Sequence, residues 1–175
     1  MYNFHCSPTV ANCIFLKNGA GKGGGMYNAN GTSPTVIHCV FCGNGIVGGT
    51  RNGRGGGVAN DLLSHPTFTG CTFINNATTG KGGGMFNDFG CDPKLVNCLF
   101  VGNEAKRGGA MVAGGRSAPT LINCTITRNV AHDQGGGDLQ RHAPRRRRRA
   151  VSRVDELHPV WQHHALRAQG GQQLA

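Results

Sequence analysis

The chain has 175 residues, enough for one domain, with Gly at 30 positions and a charged fraction of only 15%. That composition disfavours a helical bundle and a charge-driven disordered chain alike, and no stretch approaches the roughly 20 apolar residues of a membrane-spanning helix. The net charge of +10 is unevenly placed: residues 1–137 carry ten Lys/Arg against five Asp/Glu, and residues 138–175 carry eight against three.

In chain order, Met1-Tyr2-Asn3 reads as a first short strand. Pro8-Thr9-Val10 opens a β-branched run that reads as a second, a bend falls at Asn12, and Cys13-Ile14-Phe15 reads as a third. Asn18 marks a corner, and Gly23-Gly24-Gly25 leads into Met26-Tyr27-Asn28, where the unit begins again. The second unit places Val36, His38, Cys39, Phe41 and Asn44 at the same stations. The third has Phe68, Gly70, Cys71, Phe73 and Asn76, and the fourth Leu95, Asn97, Cys98, Phe100 and Asn103. The fifth has Leu121, Asn123, Cys124, Ile126 and Asn129. Successive repeat cysteines are 26, 32, 27 and 26 residues apart, with the length changes in the turns. Self-similarity at this period means a solenoid.

Residues two apart share one face of a strand, so Cys39 and Phe41 point the same way. Val36 joins them only if the chain bends near His38, hence a bend at the Asn12, His38, Gly70, Asn97 and Asn123 station. Three short strands and three bends per unit predict an all-β, right-handed parallel β-helix of about five coils. Each strand then pairs with its equivalent one coil above, about 4.8 Å away. Like stacks on like: a column of Cys13, Cys39, Cys71, Cys98 and Cys124, an aromatic column, and a ladder of Asn18, Asn44, Asn76, Asn103 and Asn129. Side-chain amides at such a corner can bond to their copies above and below. The glycine triplets are expected to hold positive φ at a tight corner.

The pairing of Gly108-Gly109-Ala110-Met111 and its Gly-Gly-Gly-Met relatives with Phe-x-x-Asn, as in Phe41 to Asn44, resembles the repeats of chlamydial polymorphic outer membrane proteins. That resemblance covers roughly residues 1–137. It implies a pectin-lyase-like β-helix from a surface-exposed or secreted bacterial protein, often an adhesin. The wider superfamily also includes polysaccharide lyases and hydrolases.

Measured against the repeat, both ends are out of phase. Met1-Tyr2-Asn3 matches Met26-Tyr27-Asn28, so Met1 is expected to be an internal residue of a longer protein, with any signal peptide further upstream. Residues 1–137 hold fifteen Asn, whereas residues 138–175 hold none and no Cys. Read one nucleotide later, the codons possible for Asp138-Leu139-Gln140-Arg141 permit Ile-Tyr-Asn-Asp. The same shift on Asp155-Glu156-Leu157-His158 permits Thr-Asn-Cys-Ile. Residues 1–137 are therefore expected to be a β-helix segment, and 138–175 a basic, disordered tail produced by a frameshift.

Catalysis needs acids that converge, or an acid paired with a base. Asp61, Asp88 and Asp92 lie in related turns and are the candidates for glycan or calcium contacts; solvated turn acids are the competing reading. No catalytic residue, metal site or cofactor is expected. Gly19-Ala20-Gly21-Lys22-Gly23-Gly24 matches the dinucleotide glycine pattern, but no helix follows to present N–H groups to a pyrophosphate. Cys39-Val40-Phe41-Cys42 is a lone C-x-x-C whose two thiols face opposite sides of a strand, so zinc is not expected. The run Arg145 to Arg149 lacks a nucleic-acid reading motif, so no specific nucleic-acid partner is expected. Asn76-Ala77-Thr78 matches the glycosylation pattern, yet Asn76 is a ladder residue expected to be buried. The expected role is a non-catalytic structural or adhesive segment of a secreted or cell-surface protein. The alternative is a carbohydrate-binding or polysaccharide-degrading β-helix. Surface glycans or host-surface molecules are the expected partners, with self-association through open coil ends.

Overall fold

A computed structural model describes residues 1–47, 53–136 and 138–140. The arginine run, and the tail and frame change beyond residue 140, lie outside the described residues. Every regular element among them is a short strand, and together they wind a parallel β-solenoid of about five turns.

Each turn crosses four sheets, where the repeat alone suggested three. Sheet A holds the Met-Tyr-Asn strands: Tyr2–Phe4, Met26–Ala29, Val58–Asn60, Met85–Asn87, Met111–Ala113 and Asp138–Gln140. Sheet B carries the segment after each proline, from Thr9–Ala11 to Thr120–Ile122, and sheet C the segment after each repeat cysteine, from Ile14–Leu16 to Thr125–Thr127. The additional sheet D lies between each ladder asparagine and the next glycine triplet, from Gly19–Ala20 to Val130–Gln134. Its sequence changes from rung to rung, and its ladder carries irregularities after Thr78 and Ala105, so no periodic apolar pattern announces a strand there. Asp138–Gln140 pairs in register with Met111–Ala113, so regular structure extends just past residue 137.

The bends stand where the alternation requires them. Asn12, His38, Gly70, Asn97 and Asn123 all take φ between 49° and 60°. This left-handed turn lets Val36 and Cys39 both point inward. A second bend precedes each ladder asparagine, at Lys17, Gly43, Asn75, Gly102 and Arg128. Asn and Gly occupy most of these sites because they tolerate that conformation at least cost.

The core is a stack of columns. Phe15, Phe41, Phe73 and Phe100 lie nearly parallel with ring centroids 4.6, 5.0 and 4.3 Å apart, and Phe68 meets Phe41 and Phe73 edge-on. Such pairs add about 0.5–1.5 kcal/mol each beyond area burial. The glycine triplet has a division of labour. Gly23 takes φ 57°, a Cβ on Gly24 would stand 2.4 Å from the Gly56 carbonyl oxygen, and one on Gly25 would stand 2.9 Å from the Phe41 ring. Only the first glycine serves the corner; the others let the wall approach its neighbours.

Candidate functional site

The cysteine and asparagine columns are structural. Cys39, Cys71 and Cys98 are buried, and each thiol lies within hydrogen-bond reach of two backbone carbonyls, as Cys39 Sγ does of Ile37 at 3.3 Å and Val10 at 3.6 Å. Burial raises the Cys39 thiol above its ordinary range. Cys91, outside the column, is pushed up to about 11 by burial and accepts the Ser64 N–H.

Each ladder asparagine donates Nδ2–H to Oδ1 of the next: Asn18 to Asn44 at 3.0 Å, Asn44 to Asn76 at 3.0 Å, Asn76 to Asn103 at 2.9 Å and Asn103 to Asn129 at 2.8 Å. The same Oδ1 also accepts the backbone N–H of the preceding asparagine. The remaining amide hydrogen goes to the phenylalanine carbonyl of the rung before, as Asn76 does to Phe41 at 2.9 Å. A second ladder runs along the inner face of sheet A, from Asn3 to Asn28, Asn60 and Asn87, at 2.7, 2.8 and 2.7 Å. Among the described residues no buried side-chain nitrogen or oxygen lacks a partner. Asn76 is fully buried, whatever its glycosylation-like context.

The outer face of sheet A carries the chemistry. The strand alternation that points Met26 and Asn28 inward points Tyr27 outward, where it stacks on Tyr2 with centroids 5.2 Å apart. Lys22 Nζ stands over the Tyr27 ring at 5.5 Å. It also pairs with Asp61 Oδ2 at 3.2 Å, to which the Tyr27 hydroxyl donates at 3.3 Å. Burial opposes the Lys22 charge, but Asp61 and Tyr27 together outweigh it and raise the ammonium above its ordinary range. Burial, reinforced by the Asp61 charge, raises the Tyr27 hydroxyl as well. One rung on, Arg54 covers the Phe86 ring at 5.3 Å and pairs with Asp88 at 3.6 Å. Each pair forms a diagonal strap, from a base before the glycines to an acid one rung further along. Beside the first strap a groove of about 660 Å³ is lined by Tyr2, Tyr27, Lys22 and the chain from Asn18 to Gly24.

Asp61 and Asp88 thus occupy equivalent stations in consecutive rungs. Asp92 stands apart, accepting the Ala118 N–H at 2.6 Å while its own N–H donates to His65 Nδ1 at 3.2 Å. His38 serves a bend. Among the described residues no three His, Cys, Asp or Glu side chains gather as a metal site would require. The tyrosine platform and its strapping bases are not among the residues that the sequence singled out. The available signal was the outward position in Met-Tyr-Asn, opposite a buried methionine and asparagine. Glu104 and His132 on sheet D, 2.6 Å apart, share no repeat station and had no sequence signal. Comparison of the chain with protein-family models, curated proteins and solved structures found no match.

Proposed function

We propose that the chain is a non-catalytic structural or adhesive segment of a larger secreted or cell-surface bacterial protein, wound right-handed as parallel crossovers nearly always are. The kinship implied by the Gly-Gly-(Gly/Ala)-Met and Phe-x-x-Asn stations, with polymorphic outer membrane protein repeats and the pectin-lyase-like superfamily, belongs to this proposal. The observation that carries it is the engagement of Asp61, Asp88 and Asp92, each held by its own base or backbone donor. An acid so committed stiffens a wall, whereas glycoside chemistry needs two carboxyl groups facing one bond.

A second reading, carbohydrate binding, is favoured by Tyr2, exposed beside the groove and backed by the Tyr27 ring, because an exposed aromatic face suits the apolar face of a sugar ring. A glycan array run beside a reducing-end assay tests both. The expected result is retention on glycans that Tyr27→Ala weakens, with no new reducing or unsaturated ends. Chain cleavage abolished by Asp61→Asn or Asp88→Asn would refute the non-catalytic reading.

A further inference from the structure

The strands of sheets B and C are apolar on their outer face as well as their inner one. Alternation sends Phe41, Phe73 and Phe100 inward, so their neighbours in sheet C point out: Val40, Cys42, Thr72, Ile74, Leu99 and Val101. All six are half-buried, because like rows stack rung on rung and cover one another's sides. The adjoining outward row of sheet B adds Ile37 and Val96. A sheet with one face in water alternates apolar with polar residues, whereas near-continuous apolar runs belong to sheets covered on both faces. Five strands about 4.8 Å apart make this face about 20 Å long, and the only polar side chains in these three rows are threonines.

The charges around the face have one sign. From each proline to its ladder asparagine, residues 8–18, 34–44, 66–76, 93–103 and 119–129, there is no Asp or Glu. The bases in those segments are Lys17, Lys94 and Arg128, all exposed. Lys94 opens a strand of sheet B, and Lys17 and Arg128 occupy the bend that closes sheet C, so the apolar rows lie between bases on both sides. The acids that border these segments are engaged: Asp92 by the Ala118 N–H at 2.6 Å and Glu104 by His132 at 2.6 Å.

Three occupants could cover such a face. A specific protein partner needs about one hydrogen bond per 100–200 Å² of interface, and these rows offer threonine hydroxyls alone. A second copy set face to face would bring two basic rims together. An anionic bilayer suits both features, since apolar side chains enter the boundary of the acyl chains while Lys and Arg meet the headgroups. We propose that the outer face of sheets B and C lays the solenoid side-on against an anionic lipid surface. The glycan groove, beside sheet A, takes no part in this contact.

The experiment measures co-sedimentation of the full chain with phosphatidylcholine vesicles, with and without phosphatidylserine. The run Arg145 to Arg149 would hold anionic vesicles by charge alone, so every variant is built on a chain with those five arginines changed to glutamine. Circular dichroism follows the β-sheet of each. The parent chain is expected to bind the vesicles that contain phosphatidylserine and to leave the others. Val40→Glu combined with Leu99→Glu is expected to weaken that binding at least tenfold. Lys17→Gln, Lys94→Gln and Arg128→Gln are each expected to weaken it about fivefold. Lys106→Gln, on sheet D, is expected to leave it nearly unchanged. Leu99→Trp, made with Trp161→Phe so that the face carries the one indole, is expected to shift its emission to the blue on anionic vesicles and to be quenched by brominated acyl chains. A parent chain that ignores anionic vesicles overturns the proposal. So does a loss from Lys106→Gln equal to that from the rim bases, which would mean binding by net charge. A glutamate pair that keeps both its β-sheet spectrum and its binding overturns it as well. If that pair unfolds, the tryptophan decides, and an emission that does not shift overturns the proposal.

Discussion

Replacing Asn76 with alanine isolates what the ladder contributes. Its side chain makes four hydrogen bonds: Nδ2 donates to Phe41 O and Asn103 Oδ1, both at 2.9 Å, and Oδ1 accepts the Asn44 N–H at 2.9 Å and the Asn44 Nδ2–H at 3.0 Å. After truncation Asn44 Nδ2 still donates to Phe15 O, and Asn103 Oδ1 still accepts the Asn76 N–H. The Asn44 N–H and the Phe41 carbonyl are left without those partners, deep in the wall. An orphaned buried group costs about 1–3 kcal/mol, so Asn76→Ala should destabilise by about 3–5 kcal/mol. That is a large share of the roughly 5–15 kcal/mol that holds a domain folded. Asn18→Ala is the control, because its side chain is exposed at the first rung and makes one bond, to Asn44 Oδ1, which still accepts the Asn18 N–H after truncation. Its cost should be about 1 kcal/mol, the net worth of an ordinary hydrogen bond. Urea unfolding followed by circular dichroism measures both. A cost for Asn76→Ala no greater than that for Asn18→Ala would refute the reasoning.

Three further outcomes are expected. Gly24→Ala should destabilise by more than about 2 kcal/mol, because its Cβ meets two carbonyl oxygens at 2.4 and 2.5 Å; Gly21→Ala, whose Cβ meets nothing within 4 Å, should be nearly neutral in thermal melts. In the fourth glycine triplet Ala110 replaces the third glycine, and sixteen residues on, in the fifth rung, Ile126 replaces the phenylalanine that Gly25 and Gly84 face at Phe41 and Phe100. Ile126→Phe should therefore destabilise the chain and Ala110→Gly should relieve it, a coupling that a double-mutant cycle reads directly. The Cys91 thiol, raised from 9.0 to about 11, favours the folded state below its unfolded value and loses that contribution as pH climbs to about 11. Chemical denaturation across that window should show stability falling with pH more steeply in the native chain than in Cys91→Ala.

What the sequence revealed depended on repetition. Cys39, Phe41 and Val36 recur with equivalents in every unit, so their inward positions and the bend at His38 follow from strand alternation and chain geometry. The asparagine after Phe-x-x recurs without exception, and its amide needs a partner wherever it is buried. Sheet D escaped because its residues face both ways across an irregular ladder: Ala77, Glu104 and Val130 share a register and no chemistry. The Lys22–Asp61 and Arg54–Asp88 straps escaped for another reason. Each joins residues from different rungs, 39 and 34 positions apart, and the intervening coil lengths vary. Asp61 and Asp88 were legible as turn acids, but the bases that commit them were not. The inner ladder from Asn3 to Asn87 was visible as Met-Tyr-Asn and its variants, yet its amides could be paired only once the rungs were in register.

The stacking of like on like is the central claim, and side-chain amide proximity tests it directly. In a nuclear Overhauser spectrum of isotope-labelled protein, the Nδ2 hydrogens of Asn44 should show cross-peaks to Asn76, 32 residues away, with its Oδ1 acceptor at 3.0 Å. Asn76 should in turn contact Asn103, and these amide hydrogens should exchange slowly with solvent. Fast-exchanging asparagine amides whose cross-peaks reach only sequence neighbours would contradict the stacked ladder and the solenoid built around it.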